Sequence, residues 1–238
     1  MKTSNKFLIL ITIVIIGFMV IYDNDLKAEY LKGDFKNPLR NMETLSIKDF
    51  TNIDHRSADM IDASIAYGPE FVIRVSKDLK NRVLITKQGK TLVIKYTGNP
   101  AENLYFSPGI TIICPRLDSI TTTGNDEPLK YIENKEVVGD VDVIGFTQPK
   151  MVVNAHRLTQ IEMKNNKIEN IQAVVGDNSN LVGSLNINTT NHFKLANIKV
   201  NGTSELKLAN PNITTLEHSF SDSASLILSG SALRLLNK

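Results

Sequence analysis

The chain has 238 residues, 22% charged and 42% hydrophobic, with 27 basic against 25 acidic side chains, 24 asparagines, one cysteine and no tryptophan. Near-balanced charge with no Lys/Arg-rich run excludes a nucleic-acid binder built on a basic surface. A single cysteine excludes an internal disulfide and a thiolate metal site, and the apolar fraction is enough for a folded core in one or two domains.

Lys2 and Lys6 precede residues 7–22, where only Thr12 and Gly17 fall outside the apolar class, and Asp23-Asn24-Asp25 follows. That is the pattern of an export signal or a transmembrane helix. Sixteen helical residues span about 24 Å against about 30 Å of hydrocarbon, so a retained anchor needs flanking residues to reach the interface or the bilayer to thin. No pair of small residues follows the apolar run to make a signal peptidase site, which favours retention. Lysines before the run and aspartates after it put the amino terminus in the cytoplasm and a membrane-anchored C-terminal domain in the periplasm or outside the cell. Cleavage would instead give a secreted protein. Cys114 is the only cysteine, so none follows the apolar run to carry a lipid. Residues 1–22 are therefore read as the signal-anchor or transmembrane segment, 23–44 as a linker, and 45–238 as the exported domain.

From Leu45 onward short apolar alternations recur between turn residues: Ile61-x-Ala63-x-Ile65, Phe71-x-Ile73-x-Val75 and Leu92-x-Ile94-x-Tyr96. Period two predicts half-buried strands. Tyr67-Gly68-Pro69-Glu70 and Lys87-Gln88-Gly89-Lys90 predict hairpin-like reversals. Ser107-Pro108-Gly109 precedes another strand, residues 110–114, in which Cys114 reads as a small packed side chain. No amphipathic helix is evident after residue 45.

Thirteen of the 24 asparagines fall among the 59 positions from 154 to 212. In that region Leu185-x-Ile187, Leu206-x-Leu208 and Leu226-x-Leu228 recur at intervals of 21 and 20 residues, with Ile161-x-Met163, Ala173-x-Val175, Phe193-x-Leu195, Ile198-x-Val200 and Leu233-x-Leu235 around them. A repeat of this length predicts an all-β fold, a parallel β-helix or β-solenoid, in which inward side chains of each coil stack on the next. A β-sandwich of many short strands is the rival. Asparagine suits the corners of such a stack, because it tolerates left-handed backbone and can hydrogen-bond to its copy in the next repeat. Scarce aromatics fit a narrow aliphatic interior.

The stretch Phe50-Thr-Asn-Ile53, with Ala63-x-Ile65, Tyr67-Gly68-Pro-Glu70, Val72-x-Arg74-x-Ser76 and Gly89-Lys-Thr91-Leu92-x-Ile94, resembles the opening of the head GIN domain family, labelled "putative auto-transporter adhesin". The resemblance continues through Ile110-x-Ile112, Pro115-x-Leu117-x-Ser119-Ile120 and Gly124, and covers roughly residues 46–235. The sequence departs from the family in being rich in Asn where its repeats carry Ser and Gly, and in Asn125-Asp-Glu-Pro128. The resemblance implies an exported β-solenoid-like domain, with no catalytic residues to carry over.

Little chemistry stands out. His55, His156, His192 and His218 are widely separated and fit no metal-ligand spacing, and each reads as surface or turn. Asp140-x-Asp142 puts two carboxylates on one strand face with Val141 and Val143 on the other, a pattern shared by glycan-cleaving β-helices and by any solvated strand. Asp118, Asp126 and Glu127 near Gly124 are a chance-level calcium grouping. Asn188-x-Thr190, Asn201-x-Thr203 and Asn212-x-Thr214 match the glycosylation pattern at the rate composition allows. The expectation is therefore an exported, membrane-tethered, non-enzymatic domain that contacts the membrane through residues 7–22 and binds a glycan or envelope protein, without cofactor, metal or nucleic acid. The alternatives are a carbohydrate-active enzyme using Asp140 and Asp142, and a regulatory envelope partner acting through its membrane segment.

Overall fold

The computed structural model describes residues 3–33, 39–99, 109–124, 139–177 and 181–237. The chain divides into two compact units, Met1–Met42 and Glu43–Lys238.

The first unit is built on one helix, α1 (Thr3–Lys32). Its apolar side chains are exposed all round, with Ile13 and Phe18 at 61% and 68%. No polar face interrupts them, so nothing in this helix selects one side for a protein core. The helix runs ten residues beyond Tyr22, into the stretch expected to be linker, because Leu26, Lys27, Ala28, Glu29 and Leu31 are all strong helix formers. Thirty residues give about 45 Å of helix, and the segment Ser4–Leu31 is long and apolar enough to cross a membrane.

The second unit is built from strands. In chain order these are β1 (Met42–Leu45), β2 (Asn52–His55), β3 (Ala63–Tyr67), β4 (Val72–Ser76), β5 (Val83–Gln88), β6 (Thr91–Tyr96), β7 (Ile110–Cys114), β8 (Ser119–Thr122) and β9 (Gly139–Ile144). There follow β10 (Thr147–Ala155), β11 (Thr159–Lys164), β12 (Lys167–Val175), β13 (Gly183–Ile187), β14 (His192–Val200), β15 (Glu205–Ala209), β16 (Asn212–Phe220) and β17 (Ser225–Ser229). They form a nine-stranded sheet, β1-β4-β7-β3-β9-β11-β13-β15-β17, and an eight-stranded sheet, β16-β14-β12-β10-β8-β2-β6-β5. From β9 onward successive strands alternate between the two sheets, and every pair there is parallel.

The expected parallel β-helix or β-solenoid is not the fold. The strands make two large mixed sheets with no closed solenoid among the described residues, and β4–β7 and β5–β6 are antiparallel. The reason lies before residue 139. Gly89, at φ 60°, closes a tight reversal from β5 to β6, and β7 inserts between β3 and β4, so the segments joined by Tyr67-Gly68-Pro69-Glu70 are not neighbours. The 20-residue repeat acts only later, where it sets register. Leu185 pairs with Leu206 and Leu206 with Leu226. Val141, Ile161, Leu185 and Leu206 stack as one column, each fully buried, and burial of each such side chain is worth about 1.5–3 kcal/mol.

Strands β10, β12, β14 and β16 share a bend. Their pairing skips Pro149, Glu169, Lys194 and Thr214, and the buried residues on either side are three apart, Ile168 with Ile171 and Phe193 with Ala196. Proline cannot donate to a ladder and is tolerated at such a break. Phe193-x-Leu195 is thus not an inward pair, since Leu195 is only half-buried at the bend. Leu233-x-Leu235 is not a strand either, for it lies in the 3₁₀ helix Gly230–Asn237.

Asparagine does sit at the corners. Asn165 and Asn210 take φ 56° and 50°, left-handed values, and Gly145 takes φ 80° at the corresponding point after β9. Beside Asn165, the buried Asn166 donates through Nδ2 to the Val143 carbonyl at 2.8 Å and to Asn191 Oδ1 at 3.0 Å, and accepts from the Phe146 N–H at 3.0 Å. Asn191 in turn donates to the Met163 carbonyl at 2.6 Å. Each amide hydrogen-bonds backbone groups of the preceding corner, where buried polar backbone needs partners.

Candidate functional site

Most of the charged side chains on the strands of the second unit lie on the outward faces of its two sheets. On β9 the period-two alternation buries Val141 and Val143 completely and turns Asp140 and Asp142 outward, as the sequence pattern predicts. Both carboxylates are engaged by β11. Gln160 Nε2 donates to Asp140 Oδ1 at 2.8 Å, and Lys164 Nζ pairs with Asp142 and with Glu162, each at 2.8 Å. Desolvation pulls the Lys164 pKa down, but the hydrogen bonds it donates to Asp142 and Glu162, with their negative charge, outweigh it and raise the pKa above the usual lysine value. Further along, Lys207 pairs with Glu205 at 2.6 Å. Lysines and acids on this stretch of sheet neutralise one another.

The other outward face differs. Lys167, His192 and Asn212 lie in one row across β12, β14 and β16, and two residues further along each strand come Glu169, Lys194 and Thr214. With Ile168 and Phe193 they line an open hollow of about 340 Å³ beside the shared bend. Asn212 Nδ2 and His192 Nδ1 are hydrogen-bonded at 2.9 Å. Lys150, Lys167, Glu169, Lys194 and Lys199 are exposed and have no ion pair or side-chain hydrogen bond among the described residues. Neither Asp140 nor Asp142 lines this hollow. The hollow has no signature in the sequence, because outward strand positions carry no apolar period and the alignment of residues 167, 192 and 212 follows only from strand register.

The remaining candidates are dispersed. His55 is wholly buried rather than at a surface or turn, with Nε2 2.9 Å from the Ile61 carbonyl oxygen. Desolvation lowers its pKa to about 4, against weaker raising effects of that hydrogen bond and of Asp54. His156 and His218 lie on other strands or turns, and His218 packs against Phe220 with ring centroids 5.2 Å apart. Cys114 is buried, and burial pushes its thiol up to about 12, against a smaller lowering by a backbone hydrogen bond at Arg116, so it is a packed and unreactive side chain. Asp118 pairs with Arg116 at 2.5 Å, while Asp126 and Glu127 lie outside the described residues. No group of three or more His, Cys, Asp or Glu able to hold a metal occurs among the described residues.

No family model matches the chain, so membership of the head GIN family is not established, and no curated protein matches it. Solved structures do. A "putative adhesin" from Parabacteroides distasonis ATCC 8503 superposes with a TM-score of 0.57 at 13% identity, over 78% of this chain and 71% of that one. Another "putative adhesin", from Bacteroides fragilis NCTC 9343, gives a TM-score of 0.50 at 12% identity, over 79% of this chain and 96% of that one. At these identities the likeness is one of fold, and in fold this chain is similar to solved chains described as adhesins.

Proposed function

We propose that the chain is a non-enzymatic binding module, tethered to the membrane by α1, whose strand-built unit lies in the periplasm or outside the cell and holds a glycan or an envelope protein. The observation that carries this reading is α1 itself, a 30-residue helix whose apolar side chains stay exposed on every side. Such a surface in water is costly, and a bilayer removes that cost. The second unit contributes broad, regular strand faces suited to extended ligands. The adhesin description of the structurally similar chains is carried to this one only within this proposal.

The test is a glycan array combined with an envelope pull-down, using the full chain in detergent. A glycan or envelope protein retained reproducibly is the expected result, and retention of nothing overturns the reading. If the module is not an enzyme, an Asp140→Asn/Asp142→Asn variant and the unaltered chain give the same absence of cleaved product on polysaccharides. Cleavage that disappears in the variant would replace the binding module with a hydrolase.

A further inference from the structure

The hollow on the eight-stranded sheet gathers on one concave wall two lysines with no acid partner among the described residues; Lys150 and Lys199 on the same sheet also lack one but stand outside the hollow. On the nine-stranded sheet Lys164 and Lys207 are each held by acids of their own or neighbouring strands. In the hollow Lys167 and Lys194 reach no acid among the described residues, although Glu169 lies on the same wall. Fixing two unpaired ammonium groups beside one concave surface is electrostatically unfavourable unless water or an anion answers them. The other wall groups are hydrogen-bonding, His192, Asn212 and Thr214, and Ile168 and Phe193 bring apolar carbon to the wall. A volume of about 340 Å³ is at the small end for ligand sites and admits one or two sugar rings.

We infer that this hollow binds an acidic sugar unit of a polysaccharide, with Lys167 and Lys194 on its carboxylate or sulfate group. Glu169 accepts from ring hydroxyls, and Asn212 and Thr214 hydrogen-bond the remaining hydroxyls. The parallel stack puts Lys167 on β12 and Lys194 on the neighbouring strand β14, two residues past His192, the register partner of Lys167, so both cations border the same hollow. The lining residues come from β12, β14 and β16, so the hollow crosses three neighbouring strands. This inference rests on the binding-module reading and names its ligand class.

The test is binding of the full chain in detergent to polygalacturonate and to dextran sulfate, with neutral dextran as the reference. Binding to at least one acidic polymer, weakening with salt, is expected. The Lys167→Gln/Lys194→Gln variant should weaken it at least tenfold. The Lys167→Arg/Lys194→Arg variant should retain it, and Lys95→Gln/Lys207→Gln, which removes the same charge elsewhere, should leave it within twofold. Equal weakening by both glutamine pairs would reduce the effect to net charge and overturn the site. Tighter binding to vesicles containing anionic lipid, with the same dependence on Lys167 and Lys194, would overturn it in favour of a lipid headgroup. Should the acidic polymers fail while the glycan array or pull-down retains another ligand, this inference alone falls. If nothing is retained at all, the binding-module reading falls with it.

Discussion

Residues 43–124 and 139–229 build the same two sheets by different rules. In the later stretch each inward side chain rests on its equivalent one repeat away, and each strand crosses to the opposite sheet before the next begins. In the earlier stretch the order is β4-β7-β3 on one sheet and β8-β2-β6-β5 on the other, two pairs are antiparallel, and closure depends on particular residues. Phe50 meets Phe71 edge to face at 5.0 Å, and the buried His55 ties the end of β2 to the Ile61 carbonyl. A repeated stack is stabilised by many equivalent contacts, whereas an irregular end is stabilised by a few specific ones.

The largest expected effect lies in the regular stretch. Leu206→Asp places an unpaired carboxylate in a fully buried column and should cost about 5 kcal/mol, read as loss of the cooperative denaturant transition or a large fall in its midpoint. A normal melt would break the column register. Gly139→Ala probes the seam between the two stretches. A Cβ there would run into the Ala58 backbone carbonyl, so the variant should lose about 3 kcal/mol in the same assay, and an unchanged midpoint would separate β9 from residue 58.

The pH dependence of the irregular stretch follows from His55. Its folded pKa is about 4 and its ordinary value 6.5, so between these the unfolded chain binds a proton that the folded chain does not. The stability this contributes is full above about pH 6.5 and is lost as pH falls towards 4, by about 3 kcal/mol in all. Denaturant unfolding at pH 7 and pH 4 should show His55→Gln losing correspondingly less stability than the unaltered chain. Parallel losses would contradict burial of a neutral ring. Smallest is Asn166→Ala, which strips the Phe146 N–H and the Val143 carbonyl of their side-chain partner and should cost about 2 kcal/mol. A neutral result would remove the corner role of asparagine.

What was legible in the sequence follows this division. The 21- and 20-residue spacing of Leu185, Leu206 and Leu226 read out register directly, since parallel stacking repeats the same side chain at the same place. Asparagine enrichment pointed to corners because left-handed backbone and buried amide ladders both leave it few substitutes, as at Asn165, Asn166 and Asn191. The global fold was misread because three clean repeats say nothing about residues before them, where Gly89 reverses the chain and β7 intrudes. The hollow was not legible, because Lys167, His192 and Asn212 meet only through strand pairing, while Asp140 and Asp142 stood out through a simple alternation that turns out to serve ion pairing and hydrogen bonding.

The tether is tested most directly by fractionating cells that express the full chain and treating their spheroplasts with protease. The chain should stay in membranes through an alkaline carbonate wash and its strand-built unit should be digested from outside, with Ile13→Lys/Ile16→Lys abolishing membrane retention. A chain recovered soluble with α1 intact, or a strand-built unit protected from protease until the cells are lysed, would contradict it.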